Sequence, residues 1–324
     1  MERRVERPPL AKRLKRFLRY LLIRTVLLCL QPLPLGWARA LGSRLGGWAY
    51  TIAGGERRKA LKSLGTAFPE KSDAERQDLA RASFRHLGAA ALEVACTGAL
   101  DRGLESLVAW PEADRAVLDA ALAKGKGVVF ISGHVGNWEL LARRVARAGY
   151  PSQSIAKETT DPRLTKLVER FRERGGVRSI WRGQDGAARA MLRALRAGEI
   201  LGLLIDQDTK VQSLFVPFFG QLAATPRAAA DLAVRTGAAV VTGFCHRVEG
   251  GGYRLAMEDV PLPEVEDREA AALALTAALS ARIEAAIRRT PEQWVWMHQR
   301  WKTRPPVEAS PQALLAGAAP ATAR

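Results

Sequence analysis

Four histidines are available for proton chemistry in this 324-residue chain: His86, His134, His246 and His298. Only His134 has a carboxylate five positions on, Glu139, and only it lies between glycines, in the run Ile131-Ser-Gly-His-Val-Gly-Asn-Trp-Glu139. An imidazole titrates near neutral pH and can take a proton from a hydroxyl. A carboxylate folded back onto the second ring nitrogen would fix the tautomer and stabilise the imidazolium as it forms. The expected chemistry is therefore activation of a hydroxyl, with His134 as base and Glu139 as its orienting partner. Gly133 and Gly136 permit a tight turn and leave room beside the ring. The bare spacing is a weak signal, and a polar start to a helix is the alternative reading; the context singles out His134.

That context is a strand before the histidine and a helix after it. Gly127 to Ser132 is a short apolar run rich in β-branched residues, and a helix is expected from Glu139 to Ala148. Open α/β sheets place their sites at the carboxyl ends of strands. Downstream, strands are predicted at 152–156, 177–181, 200–205, 238–244 and 253–257. Helices are predicted at 164–174, 186–197 and 270–289, with another opened by Thr225 as N-cap and Pro226 as first residue. The alternation indicates an α/β domain with a largely parallel sheet. Upstream, Leu41 to Ala53 reads as a Gly-rich helix close to a membrane. Ser72 with Glu75 forms a capping box heading a helix to about Ala99.

A formal net charge of +17 calls for an acidic partner: nucleic acid, anionic lipid headgroups or an acidic carrier protein. The N-terminus narrows the choice. Nine Lys/Arg in residues 1–24 are interleaved with an apolar run that reaches Leu30. The uncharged stretch from Thr25 to Ala38 is shorter than the ~20 residues of a clean span and contains two prolines. It reads as a basic amphipathic or tilted helix on an anionic leaflet; a single span and a buried first helix are the alternatives. A non-enzymatic basic protein that binds membrane or nucleic acid is the remote alternative, but no recognition motif for nucleic acid is present. Three scattered cysteines fit a reducing, cytosol-facing compartment rather than a disulfide framework, and Cys245-His246 lacks the second pair that a metal site needs.

The segment Gly133-His-Val-Gly-Asn-Trp-Glu139 resembles the His-x4-Asp/Glu signature of the lysophospholipid acyltransferase superfamily. Four further blocks resemble, in order, the late acyltransferases of bacterial lipid A biosynthesis: Arg57 to Glu70, Gly198 to Asp208, Phe215 to Gly220 with Thr225-Pro226, and Pro291 to Pro305. In the first of these, Ser63 stands where Asn is usual. The resemblance implies a glycerol-3-phosphate-acyltransferase-like sheet flanked by helices, with an N-terminal helical membrane-associated segment at 1–50. A helical part at 51–105, the acyltransferase domain at 106–305 and a disordered tail at 306–324 complete the expected organisation.

By the same resemblance, His134 and Glu139 are catalytic, Arg178, Arg182 and Gln207 bind substrate, and Asp206 supports the site or binds the acceptor. An essential arginine is expected between Arg174 and Arg182, as a clamp on acceptor phosphate or on the developing oxyanion. No cofactor or metal is implied; acyl carrier protein or acyl-CoA is the co-substrate. The acceptor would be a lipid A precursor such as Kdo-lipid IVA, or another glycolipid, lysophospholipid or aminolipid, at the cytoplasmic face of the inner membrane. Oligomeric state is left open. Phe215, Phe218 and Phe219 would line an acyl tunnel or pack in the core. Trp294, Trp296 and Trp301 would meet the membrane interface or be half buried, and His298 and Arg300 would be structural. The Arg-rich stretch from Arg143 to Arg196 would dock carrier protein or lipid phosphates, or form a solvated face.

Overall fold

Val128 to Ser132 are five consecutive buried residues, the pattern of a parallel strand covered on both faces, and this strand is the centre of the sheet. The structure is a computed structural model that describes residues 9–305. Residues 1–8, with part of the basic N-terminal cluster, and the tail expected at 306–324 lie outside the described residues.

The strands are β1 (Val108–Ala109), β2 (Val128–Ser132), β3 (Ser152–Lys157), β4 (Val177–Arg182), β5 (Ile200–Leu204), β6 (Ser213–Phe218), β7 (Gln221–Pro226), β8 (Ala239–Arg247) and β9 (Tyr253–Val260). Seven of them form one sheet in the order β1-β9-β8-β2-β5-β3-β4, and β6 with β7 makes a separate hairpin. All pairings in the large sheet are parallel except β8 with β9. The helices are α1 (Leu10–Leu30), α2 (Leu35–Ile52), α3 (Gly54–Ala67), α4 (Asp73–Ala95), α5 (Thr97–Leu107), α6 (Glu112–Ala123), α7 (Trp138–Arg147), α8 (Pro162–Arg174), α9 (Ala187–Arg196), α10 (Ala228–Thr236) and α11 (Arg268–Arg289).

Side chains alternate across a strand, so each strand feeds two cores. Val129, Ile131, Leu201, Leu203 and Val240 join the core built by α3, α4, α10, α11 and the tryptophans. Val128, Phe130, Ile200, Ala239 and Val241 join the other, with α5, α6 and α7. The capping box at Ser72 forms as the sequence indicates. In α2, Gly42 and Gly46 lie so close to the α4 backbone that a Cβ at either would overlap it, which explains the glycines and locks the two helices together. Ser63, in place of the usual Asn, is buried in α3 and donates to the His298 carbonyl at 3.3 Å.

Two expectations are corrected. Thr225-Pro226 ends β7 instead of starting a helix, and α10 begins at Ala228. The Thr225 hydroxyl accepts from Arg300 Nη2 and donates to the Ala223 carbonyl, so it does not cap. Trp294, Trp296 and Trp301 are neither half buried nor on the surface but buried in an aromatic cluster with Phe218 and Phe219. Among the described residues, α11 is the helix long and apolar enough to cross a membrane, and half of that window is buried within the protein, against α10 and the hairpin. In α1 the apolar residues are broken by Lys12, Arg13, Lys15, Arg16, Arg19 and Arg24.

Candidate active site

Strand pairing brings the site together. Ser132, last in β2, pairs with Leu204, last in β5, and both strands run the same way. Two residues beyond each end stand His134 and Asp206, which the register therefore sets side by side. The His134 Nδ1 lies 2.8 Å from Asp206 Oδ1, and the His134 backbone N–H donates to Asp206 Oδ2 at 2.7 Å. The Trp294 indole N–H donates to the same oxygen at 2.7 Å. Burial alone would push the Asp206 carboxyl up, but His134 and these donors outweigh it and hold the pKa down at about 2. An ionised carboxylate can only accept, so Nδ1 carries a proton, and in a neutral ring the lone pair is on Nε2. Gly133 is favoured here, because a Cβ would crowd Asp206 Oδ2 at 3.2 Å and Ile283 at 3.1 Å.

Glu139 does something else. Its place as the orienting partner of His134 is corrected by the structure: Asp206 occupies the ring nitrogen, and Glu139 pairs with Arg172 on α8. Arg172 Nη2 lies 2.5 Å from Glu139 Oε1 and Nε 3.1 Å from Oε2, a two-point pair. The reason is local. Asn137 caps α7 through the Leu140 N–H, which sets Glu139 in the first helical turn, facing α8. The third Arg172 nitrogen, Nη1, is buried with no acceptor.

A cleft of about 620 Å³ opens in front of His134. Ile155, Met191, Leu203, Ile205 and Ala229 supply apolar wall; Lys157, Arg172, Arg182, Gln207 and Arg227, the last paired with Asp231, are among the polar groups. Trp138 also lines it and meets the His134 ring edge-on at 4.8 Å between centroids. Of the expected substrate-binding residues, Arg182 and Gln207 are on the cleft, and Asp206 is buried behind His134. Arg178 is not there: at the far end of β4, its side chain is 59% exposed and paired with Glu199. Phe218 and Phe219 pack in the core rather than lining the cleft. His298 Nε2 accepts from the Asp208 N–H, and Arg300 holds the Ala224 carbonyl, both backbone supports. Among the described residues, no group of three or more His, Cys, Asp or Glu is placed to hold a metal.

Arg172 was missed by sequence reasoning. It lies two residues before the window searched for an essential arginine, and nothing local distinguishes it from Arg170 or Arg174; only the facing of α8 does. The profile of the family described as bacterial lipid A biosynthesis acyltransferase matches residues 6–303. The chain belongs to that family. As one of these acyltransferases, it is 31% identical over 286 residues to the lipid A biosynthesis palmitoleoyltransferase of Escherichia coli (strain K12), covering 83% of this chain and 86% of that one. It is 28% identical over 281 residues to the lipid A biosynthesis lauroyltransferase of the same organism, covering 82% and 85%. A phosphatidylinositol mannoside acyltransferase of Mycolicibacterium smegmatis is 26% identical over 184 residues, covering 56% of this acyltransferase and 59% of the relative.

Proposed function

We propose that this acyltransferase moves a fatty acyl group from a thioester, on acyl carrier protein or coenzyme A, to a hydroxyl of a lipid A precursor such as Kdo-lipid IVA. The observation that carries the mechanism is the His134–Asp206 pair at the mouth of a cleft with an apolar wall. His134 Nε2 takes the proton of the acceptor hydroxyl while its oxygen attacks the thioester carbonyl. The new C–O bond leaves a tetrahedral oxyanion, which the Arg172 guanidinium in the cleft wall stabilises by its charge. Collapse breaks the C–S bond, and the departing thiolate takes the proton from His134. Asp206 stabilises the imidazolium between the two transfers without being protonated itself. Glu139 acts by holding Arg172. The apolar wall takes the acyl chain, while Lys157, Arg182 and Arg227 face the phosphates of the acceptor and Gln207 its polar groups.

The setting is the cytoplasmic face of the inner membrane. Supporting this, α1 leaves Leu14, Leu18 and Leu22 exposed, and α2 leaves Trp37, Leu45, Trp48 and Ile52 exposed, among basic residues. That surface suits an anionic leaflet. The similarity to a phosphatidylinositol mannoside acyltransferase keeps a second reading, a mannosylated lipid acceptor, with the same chemistry.

Mass spectrometry of membrane lipids from cells with and without the gene tests the acceptor; one added acyl chain on a lipid A precursor is expected. Replacing the gene with His134→Ala should abolish that product while the protein stays folded, and retained turnover in that variant would remove the mechanism.

A further inference from the structure

His134 and Asp206 stand on loops from different strands, and one buried face of α4 is tied to the first loop directly and to Asp206 through Trp294. Ser83 and His86, three residues apart, share that face; they are 0% and 8% exposed. The Ser83 hydroxyl donates to the Trp294 carbonyl at 2.6 Å, and Trp294 is the residue whose indole N–H holds Asp206. The His86 ring reaches the loop of His134 itself, with Nε2 3.0 Å from the Gly136 carbonyl, two residues after His134. A carbonyl only accepts, so Nε2 carries the proton there. Burial pushes the His86 pKa down to about 4, with Arg247 acting the same way and the Gly136 bond and Glu93 opposing. The ring is therefore neutral near neutral pH and is a donor, not a second base.

The Gly136 loop has little freedom to compensate for a lost donor. Its N–H donates to the Gln293 carbonyl at 2.9 Å, its φ is +64°, and a Cβ there would overlap the Cys245 carbonyl. Neither Ser83 nor His86 lines the cleft. Resting on the His134–Asp206 mechanism proposed above, we infer that Ser83 and His86 are positioning residues for acyl transfer. Held by one helix, they set the Gly136 and Trp294 carbonyls, and through them the distance between the imidazole and its carboxylate. A base displaced by about 1 Å can lose on the order of 100-fold in rate.

The test uses the full-length enzyme, lipid IVA as acceptor and saturated acyl-coenzyme A donors from decanoyl to palmitoyl, following transfer and thioester hydrolysis. His86→Phe removes the donor, His86→Gln returns one near Nε2, and Ser83→Ala removes the second tie with less disturbance should the Phe variant fold poorly. His86→Phe and Ser83→Ala are expected to lower kcat by about 10- to 100-fold with KM unchanged. His86→Gln should recover most of the loss. The far-downfield proton resonance of the His134 Nδ1–H, assigned by its absence in His134→Ala, should weaken with kcat and return in His86→Gln. Variants that melt earlier but keep kcat and that resonance would show a structural role only and overturn the inference. Wild-type turnover in His134→Ala would instead overturn the mechanism beneath it.

Discussion

An imidazole serves as a directed base when one nitrogen is held and the other is open, and Asp206 does the holding here. Replacing it with Asn keeps an acceptor but removes the charge that stabilises the imidazolium and the preference for the Nδ1–H tautomer. Asp206→Asn is expected to lower kcat by about 10³- to 10⁴-fold with a smaller change in KM, as for a triad carboxylate; steady-state kinetics decide it. Glu139 is predicted to act through Arg172. Glu139→Gln and Arg172→Gln should each reduce kcat, and the double variant should be no worse than the poorer single. Fully additive losses in that cycle would separate the two residues. At this scale the sequence pointed to His134, but the carboxylate on its ring is Asp206 and not the neighbouring Glu139. Asp206 is 72 positions from His134, and no local pattern links them.

Elements do the positioning. Parallel pairing of β2 with β5 aligns the loop after each strand, and α8 turns Arg172 towards α7. Buried histidines in α4 and β8 add a pH-sensitive load to this framework. Burial holds both His86 and His246 at about 4, against 6.5 for a free ring; Arg247 and Glu93 face the first, Arg289 and His86 the second. Between those pH values the unfolded chain binds protons that the folded chain does not. Stability therefore falls on acidification from pH 6.5 to about 4, by roughly 1.4 kcal/mol per unit and per histidine, and is unaffected by these groups above that window. Urea midpoints measured across the window should show the slope, and His86→Gln should flatten it by one histidine's share. An unchanged slope would mean that His86 is charged in the folded protein.

Across the whole molecule, excess positive charge and unpartnered apolar faces occur together. Trp37 and Trp48 are 74% and 67% exposed on α2, opposite the glycine face that locks onto α4. Indole rings so placed suit the headgroup region of a bilayer. Trp37→Ser with Trp48→Ser should leave the melting temperature unchanged and weaken co-sedimentation with phosphatidylglycerol vesicles several-fold. Wild-type binding should fall as salt is raised, since screening removes the contribution of the basic residues. Binding that ignores both changes would place the membrane contact elsewhere.

The chain by itself determined the features that neighbouring residues control. Short apolar runs marked β2 and β5, Ser72 with Glu75 marked the start of α4, and the strand–glycine–His–glycine–helix order singled out His134. Each depends on backbone geometry within a few residues. Only the tertiary structure decided which carboxylate meets His134, that Arg172 rather than Arg178 faces the cleft, and that Trp294 is buried as a support for Asp206. Those outcomes follow from strand register and helix facing, which distant segments fix by packing together.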